Sequence, residues 1–361
     1  MHSEIKQRVE DAIARFAAGE MVIVTDDDDR ENEGDLICAA ALCTPEKMAF
    51  IVRHTCGIVC APVTTERAEA LDLRPMVTDN DAPLGTAFTV TVDVKHGLTT
   101  GISAEQRCNT VRALANANMG RSDFVRPGHV FPLIARPGGV LMRSGHTEAA
   151  TDLCRMAELP EVGVICELAN DDGTVMKGGQ IDAFAAQHSL VKLSVADLIA
   201  YRQAQENLVQ RTGHRRVSSP IGEMDMIGYR TPFDDVTHFA FVYGTPDDQG
   251  PTPVRLHRSD IVKDVIGGAA DIGETLQRIS EAGSGVLIYL RDEAAGTPEL
   301  AFAEPATTDE KRVQSWHNIG LGAQILRDLE VRSIHLIASH ARNYVGMRGF
   351  GIEVASEEIL A

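Results

Sequence analysis

The sequence lacks any apolar run long enough to cross a membrane, for which about 18 consecutive apolar residues are needed. It also lacks the apolar segment of a signal peptide, because Met1–Phe16 carries acids and bases throughout. These two absences argue against a membrane-spanning helix and against an export signal. We therefore expect a cytoplasmic protein that has no membrane partner.

Positive charge is also scarce in this chain. Lysine and arginine total 34 against 52 aspartates and glutamates, which gives a formal net charge of −18 at pH 7. Such an excess of negative charge disfavours nucleic acid and anionic membranes as partners, so a phosphorylated substrate would need a local arginine site. The 361 residues, 44% hydrophobic and 24% charged, fit two globular domains.

Cysteine is missing from the second half, because all seven cysteines precede residue 170. A metal site in the second half would therefore have to form without thiolate ligands. The odd number and irregular spacing, in a chain without an export signal, predict reduced thiols. The seven are Cys38, Cys43, Cys56, Cys60, Cys108, Cys154 and Cys166.

Apolar periodicity predicts both helices and strands in the first half of the chain. The predicted helices cover 3–18, 44–53, 103–117, 147–159 and 189–209, and the predicted strands cover 21–24, 36–40, 57–63, 86–94 and 161–168. The basic, turn-rich stretch Arg211–Ser219 is the predicted linker. Beyond it, strands at 221–229 and 237–243 precede helices at 272–282 and 312–329 that alternate with strands at 286–290 and 334–338. That alternation predicts an α/β domain.

The segment Asp26–Asp35 holds seven carboxylates and one arginine in ten residues, between the two short apolar strands. The sequence therefore predicts an acidic loop held at both ends by a sheet, with Gly34 relaxing the backbone where the chain turns. A solvated acidic surface loop is the alternative interpretation. Repulsion among so many carboxylates favours a bound cation, and Mg²⁺ together with Arg30 would offset it.

The segment Arg143–Thr147 combines a guanidinium, two hydroxyl groups and an imidazole just before a predicted helix. Arginine pairs with phosphate through two parallel hydrogen bonds, and amides at a helix start also bind anions. We interpret this segment as a phosphate site in which His146 is able to ligate a metal. A capped helix start with a surface histidine is the alternative.

Three further residues stand out as candidates. His129 lies in a rigid frame of proline and glycine, where a buried structural histidine is the commoner explanation. Glu167 follows a predicted buried strand, so its carboxylate must be paired, bound to metal or raised in pKa. Cys56 has no recognisable partner for nucleophilic catalysis, which favours packing or substrate contact over a covalent role.

Four segments occur in order along the first half: Arg30–Asp35, Arg126–Pro132, Gly145–Ala149 and Cys166–Leu168. Together they closely resemble 3,4-dihydroxy-2-butanone 4-phosphate synthase of riboflavin biosynthesis, and the resemblance covers residues 3–205. It implies an α+β synthase domain at 1–210 that converts D-ribulose 5-phosphate to L-3,4-dihydroxy-2-butanone 4-phosphate and formate. The resemblance also implies Mg²⁺ or Mn²⁺, two ions when substrate is bound, and a homodimer.

The resemblance also assigns roles to individual residues. It implies Glu31 and His146 as metal ligands, and His129 and Glu167 as catalytic residues, with Glu33 and Asp35 as further acid–base groups. The residues that it places in contact with substrate are Arg30, Glu31, Asp35, Arg143, Ser144, Gly145, His146, Thr147 and Glu167.

Segments 283–291, 320–329 and 349–354 of the second half resemble GTP cyclohydrolase II, an α/β enzyme that holds catalytic Zn²⁺ with three cysteines. We place this domain at 215–361. Asp260 stands where a ligand thiolate belongs, and Leu290–Gly296 departs from the family pattern. We therefore expect a domain without zinc and without cyclohydrolase activity. An altered metal site that retains the activity, or a regulatory module that binds a nucleotide or a flavin, are the alternatives.

Overall fold

The computed structural model describes residues 2–26, 31–82, 84–206, 209–231, 236–246, 250–291, 320–339, 347 and 351–360. The chain divides into two units, Ser3–Tyr201 and Arg202–Ala361. None of the helices in the described ranges combines the length and the apolar character that crossing a membrane requires.

The first unit is built on a seven-stranded mixed sheet with the order β4-β5-β3-β6-β2-β1-β7. Its strands are β1 (Val22–Thr25), β2 (Gly34–Ala39), β3 (Cys60–Val63), β4 (Val92–Val94), β5 (Phe124–Ile134), β6 (Gly163–Glu167) and β7 (Val191–Ser194). Its helices are α1 (His2–Ala17), α2 (Pro45–His54), α3 (Thr65–Ala70), α4 (Ala104–Ala115), α5 (His146–Met156), α6 (Gly179–His188) and α7 (Val195–Gln205).

Local capping explains where two of the predicted helices begin. The hydroxyl of Thr44 accepts a hydrogen bond from the Lys47 amide at 3.3 Å at the start of α2. The hydroxyl of Ser103 does the same for the Gln106 amide, at 3.2 Å, at the start of α4. Such caps satisfy backbone donors that have no partner inside the helix. Both helix starts were predicted from the sequence and are confirmed.

Several stretches of the first unit differ from the prediction: helices α3 and α6 were not predicted, and the predicted strand over 86–94 is a strand only over Val92–Val94. Residues 189–209 were predicted as one helix but form the short strand β7, parallel to β1, followed by α7. The prediction was wrong there because pairing with the buried strand β1 outweighs local helix propensity. The hydroxyl of Ser194 nevertheless accepts from the Asp197 amide at 3.0 Å, as a helix cap. Strand β5 also runs through a stretch rich in proline and glycine, and the sequence pattern did not reveal it.

The second unit has its own seven-stranded sheet with the order β14-β13-β11-β12-β10-β9-β8. Strands β11, β12, β13 and β14 pair in parallel, while β12, β10, β9 and β8 pair antiparallel. The strands are β8 (Gln210–Ser219), β9 (Gly222–Arg230), β10 (His238–Tyr243), β11 (Thr252–Arg258), β12 (Gly285–Leu290), β13 (Ser333–Ala338) and β14 (Glu353–Ile359). The helices are α8 (Ala270–Ala282) and α9 over 320–328, and Val262–Ile266 forms one π-helical turn.

The prediction that Arg211–Ser219 is a linker is wrong. This stretch belongs to the edge strand β8, which pairs antiparallel with β9 along its whole length. Its side chains are mostly exposed, so no apolar alternation marks it as a strand. Helix α8 ends before Gly283, which has a φ of +79° as the helix-ending position requires. The predicted helix over 312–329 is described only from residue 320, and most of Leu290–Gly296 lies outside the described residues.

Candidate active site

The acidic loop is folded by its first aspartate. Asp26 follows β1, and its two carboxylate oxygens accept the amides of Glu31 at 3.1 Å and Glu33 at 2.9 Å. Asn32 takes the left-handed turn, with a φ of 53°. The φ of Gly34 does not lie in the left-handed region. A glycine fits at this position because a Cβ there would lie 3.0 Å from the Ile181 side chain. The predicted reason for this glycine was therefore wrong. Arg30 and residues 27–29 lie outside the described residues.

Strand register brings the acids at the end of this loop beside those of other strands. Asp35 pairs with Glu167 across β2 and β6. Cys60 on β3 pairs with Phe131 of β5 on one side and with Ile165 of β6 on the other. His129 lies two residues before Phe131, and Glu167 lies two residues after Ile165. Both are displaced towards the same end of the strands. Side chains directly opposite each other in paired strands share a face, so Glu167 and Asp35 do, and the register brings His129 to the same end of the sheet. We call these three residues the row.

A group of possible metal ligands lies next to this row. Asp26, Glu31 and His146 each offer a ligand atom, and these atoms lie within 4.8 Å of one another. His146 begins α5, and its Nδ1 is 4.0 Å from Glu31 Oε2 and 3.6 Å from Asp35 Oδ1. Only 6% of His146 is exposed, so the alternative interpretation as a surface histidine is wrong. Asp26 was not recognised as a candidate ligand from the sequence.

The residues present fit a hard divalent cation. Carboxylates and one neutral imidazole are ligands that Mg²⁺ and Mn²⁺ accept, and Mg²⁺ completes its shell with water and substrate oxygens. Within the described part of the chain, Asp35 Oδ1 is buried and makes no hydrogen bond. A buried carboxylate oxygen in that state is costly unless a cation offsets its charge.

Burial and mutual repulsion raise the pKa values of two carboxyl groups of this site. Asp35 is 1% exposed, and burial raises its pKa well above the ordinary value, with Glu167 and Glu31 adding to the shift. The pKa of Glu33 is also raised, chiefly by burial and then by Glu31, although Lys177 lowers it. A raised pKa makes a carboxyl group a better proton acceptor when it is ionised.

The histidine of the row is oriented by an aspartate that sequence reasoning missed. His129 Nδ1 lies 2.6 Å from Asp93 Oδ2, and the His129 amide donates to Asp93 Oδ1 at 2.9 Å. Asp93 is buried, whereas the side chain of His129 is 40% exposed. Gly101 packs on this pair with a φ of +91°, and a Cβ there would overlap both side chains. The imidazole is therefore fixed at one nitrogen and accessible at the other, which is unlike a buried structural histidine.

The predicted phosphate segment forms a tightly paired helix start. Arg143 Nη1 lies 2.8 Å from Glu148 Oε2, and its Nη2 donates to Leu84 O at 3.3 Å and to the Thr86 hydroxyl at 3.2 Å. Glu148 is buried; burial raises its pKa, while Arg143 lowers it. Gly145 precedes α5 without a side-chain cap, and a Cβ there would overlap the Arg143 guanidinium.

The remaining residues of that segment, Ser144 and Thr147, are buried beside it. Glu167 lies at the end of β6, where the Cys56 thiol donates to its Oε2 at 2.8 Å. The predicted site residues in the described ranges therefore lie in the acidic loop, at the ends of β2 and β6, within β5 for His129, and at the start of α5. This arrangement brings several groups that are able to exchange protons into one region.

Comparison with known proteins gives the family. The model of the 3,4-dihydroxy-2-butanone 4-phosphate synthase family matches residues 10–201, and that of GTP cyclohydrolase II matches 210–359. The riboflavin biosynthesis protein RibBA of Salinispora arenicola is 43% identical over 96% of this chain and 87% of its own length.

Two solved structures are also similar. RibBX of A. baumannii, a two-domain 3,4-dihydroxy-2-butanone 4-phosphate synthase, superposes with a TM-score of 0.81 at 36% identity, covering 98% of this chain and 99% of its own. A 3,4-dihydroxy-2-butanone 4-phosphate synthase in complex with two magnesium ions gives a TM-score of 0.54 at 46% identity, covering 55% of this chain and 97% of its own. The chain belongs to the 3,4-dihydroxy-2-butanone 4-phosphate synthase family and carries a GTP cyclohydrolase II-type domain behind the synthase domain.

Proposed function

We propose that this protein is the lyase that converts D-ribulose 5-phosphate to L-3,4-dihydroxy-2-butanone 4-phosphate and formate in riboflavin biosynthesis. Membership of the synthase family gives the reaction class and the pathway. The row of His129, Glu167 and Asp35 beside the cluster of Asp26, Glu31 and His146 is the observation that supports the substrate and the site. We place the synthase domain at 1–210, and we propose a cytoplasmic homodimer.

Glu31 and His146, with Asp26 beside them, are the residues that would hold Mg²⁺ or Mn²⁺. Two magnesium ions are present in one related synthase structure, and we propose two ions here when substrate is bound. When bound, such an ion polarises the oxygens of a hydroxyketone and makes the neighbouring C–H more acidic. The protein's own part is to place carboxyl groups where the resulting protons go.

The reaction removes a proton beside the ketone, releases water, shifts the carbon skeleton and releases formate, so it needs several proton acceptors and donors. Asp35 and Glu33 have raised pKa values, which favours the protonated form of each and suits them to a role in proton exchange. Glu167 lies directly across from Asp35. His129 is held at Nδ1 by Asp93, which leaves Nε2 to act on substrate.

The start of α5 is the proposed phosphate site. Arg143, Ser144 and Thr147 surround Gly145, and the amides of the first helical turn have no partners inside the helix. Glu148 holds the Arg143 guanidinium against Gly145, so that little side-chain entropy remains to be lost on binding. Arg30 completes the substrate contacts in this proposal, although it lies outside the described residues.

For the second domain, at 215–361, we propose that cyclohydrolase activity has been lost. His257 Nε2 lies 2.8 Å from Asp264 Oδ1, and the Tyr289 hydroxyl donates to Asp264 Oδ2 at 2.7 Å. Asp260, which stands in a ligand position, accepts the amides of Val262 and Lys263 through Oδ1. No group of three metal-ligating side chains occurs among the described residues of this unit. We propose a structural or ligand-binding role.

Formate release from ribulose 5-phosphate, measured with and without EDTA, tests the first domain. We expect release that depends on Mg²⁺ or Mn²⁺ and stops in excess chelator. Incubation with GTP and Zn²⁺ tests the second domain, and we expect no turnover above background. Turnover that His257→Ala abolishes would mean that a metal site has been rebuilt there.

A further inference from the structure

Two cysteines of the first unit are in contact beside Glu167. Cys56 is the exposed cysteine of the seven, whereas Cys166 is buried in β6. Their sulfur atoms lie 3.6 Å apart. Neither thiol has a step in the proposed reaction. The pair therefore combines one thiol that reagents in solution reach and one that lies directly behind it.

The backbone on both sides of this pair is fixed. Thr55 and Leu168 form an antiparallel bridge, and the Cys56 amide donates to Glu167 O at 2.9 Å. The Thr55 hydroxyl donates to the Cys166 sulfur at 2.9 Å, and that thiol donates to Ile58 O at 3.3 Å. A disulfide has an S–S distance of about 2.05 Å, so the two sulfur atoms have to approach by only about 1.5 Å.

Cys56 is also the better nucleophile of the two. The Ile58 amide donates to its sulfur at 3.4 Å. The contact with Cys166 lowers the pKa of Cys56, although burial and Glu167 act in the opposite direction. For Cys166, by contrast, the hydrogen bond with Cys56 and burial both raise the pKa. Reactive cysteines that sense oxidants are accessible, have thiolate character and lie next to a resolving thiol, as these two do.

We propose that Cys56 and Cys166 are an oxidant-sensing pair, which a peroxide converts to a disulfide that switches the synthase off. The Cys56 thiol gives up its proton and its sulfur attacks one peroxide oxygen. The O–O bond breaks, and the departing hydroxide takes up that proton, so that a sulfenic acid and water form. Cys166 then attacks the Cys56 sulfur, the S–O bond breaks, and its thiol proton leaves with the hydroxyl group as water. Two thiols and one hydrogen peroxide thus give one disulfide and two waters, and the sulfurs supply the two electrons.

The loss of activity rests on the proposed role of Glu167. In the reduced protein the Cys56 thiol donates to Glu167 Oε2 at 2.8 Å, and a disulfide has no proton to donate. Bond formation also draws Cys56 towards Cys166, which directly precedes Glu167 in β6. The carboxylate therefore loses a hydrogen bond and its fixed position at once. We expect at least a tenfold loss of formate release, reversed by dithiothreitol.

The test uses the full-length, reduced protein with Mg²⁺, treated with hydrogen peroxide and then alkylated. Mass spectrometry of peptides should give a Cys56–Cys166 linked peptide from the wild-type protein and none from Cys56→Ser or Cys166→Ala. Peroxide should leave the activity of Cys56→Ser unchanged. In Cys166→Ala the Cys56 thiol can still oxidise to a sulfenic acid, so that variant tests only the formation of the linked peptide. Cys43→Ser is the matched control, because Cys43 is a buried thiol elsewhere in this unit and this variant should stay peroxide-sensitive.

Absence of the linked peptide from oxidised wild-type protein would overturn the proposal, and so would equal inactivation of wild type and Cys56→Ser. The linked peptide is measured whether or not the protein releases formate. A protein that forms the disulfide but has no synthase activity even when reduced would contradict the proposed function and leave the oxidisable pair supported.

Discussion

Asp35→Asn should make the metal-free protein more stable and the enzyme much less active. The Asp35 carboxyl group is buried, its pKa is raised well above the ordinary value by burial and by Glu167 and Glu31, and its Oδ1 makes no hydrogen bond among the described residues. Asparagine has nearly the same shape and carries no charge. The substitution therefore removes an unfavourable buried charge without creating a cavity.

The size of the effect follows from that environment. The asparagine amide is still a buried polar group, so the substitution removes only the cost of the charge. An unsatisfied buried charged group costs more than a neutral one, for which the cost is about 1–3 kcal/mol, so the free energy of unfolding of the first unit should rise by about 1 kcal/mol. For a unit of about 150–250 residues this shifts Tm by roughly 2–4 °C per kcal/mol. Formate release should fall at least about thirtyfold, because asparagine cannot exchange the proton that we assign to Asp35. That factor corresponds to roughly 2 kcal/mol of lost transition-state stabilisation.

The difference in stability between wild type and Asp35→Asn should depend on pH. The pKa of Asp35 is higher in the folded than in the unfolded protein. Its contribution to the free energy of unfolding is therefore fully present below the unfolded pKa of about 3.9, and it is lost as pH rises through the folded pKa. The stability of wild type should therefore fall below that of Asp35→Asn as pH rises above about 4.

Denaturation of both proteins in EDTA at several pH values measures this difference. Asp171→Asn is the matched control, because Asp171 is an exposed aspartate whose loss should change stability by less than about 0.5 kcal/mol. Added Mg²⁺ should stabilise wild type more than Asp35→Asn, since stabilisation of the folded state by a ligand increases with the logarithm of its affinity. A lower free energy of unfolding for metal-free Asp35→Asn would refute the reasoning.

Three further predictions concern the rest of the site. Glu31→Gln or His146→Ala should each lower formate release at least about thirtyfold, and full activity in excess EDTA would contradict their assignment as metal ligands. Arg143→Lys should raise KM for ribulose 5-phosphate, because an ammonium group cannot replace the planar guanidinium fork, and an unchanged KM would leave Arg143 only a structural role. Asp93→Asn should lower kcat about tenfold or more with little change in KM, because His129 loses the carboxylate that orients it; an unchanged kcat would contradict this.

The sequence predicted the parts of the site whose cause is local. The acidic loop lies between two short apolar strands, and the start of α5 follows directly from Gly145, so both are visible within about ten residues. The sequence did not single out Asp26 among four consecutive aspartates. Its role depends on where β1 ends, since the Asp26 amide donates to Glu33 O at 3.3 Å and its carboxylate then accepts two loop amides.

The parts that were missed depend on contacts between distant segments. Asp93 lies on a strand of three residues and pairs with His129, 36 positions away, so no local pattern connects them. Strand β5 continues through Pro127 and Gly128, residues that favour a turn, because it pairs with β3 and β4. Strand β8 lies at a sheet edge, where exposed polar side chains produce no apolar alternation.

The described strands of the second domain are held together by apolar packing. Strands β11 and β12 are held by buried apolar pairs such as Val254 with Val286, and none of these residues is able to ligate a metal. His257 instead stacks on Tyr289, with ring centroids 5.3 Å apart. Burial and Asp264 raise the pKa of Tyr289 to about 12, so its hydroxyl remains a donor at neutral pH.

Asp264 completes this arrangement. Burial opposes its ionisation, but the Asp260 amide, Tyr289 and His257 outweigh that effect and lower the pKa of Asp264. An ionised carboxylate with these partners has its hydrogen-bonding needs met, so it stabilises the strand ends without a metal ion. Apolar packing and internally satisfied polar groups of this kind keep a sheet folded without thiolate ligands. Stability of that kind is compatible with the structural or ligand-binding role that we propose for this domain.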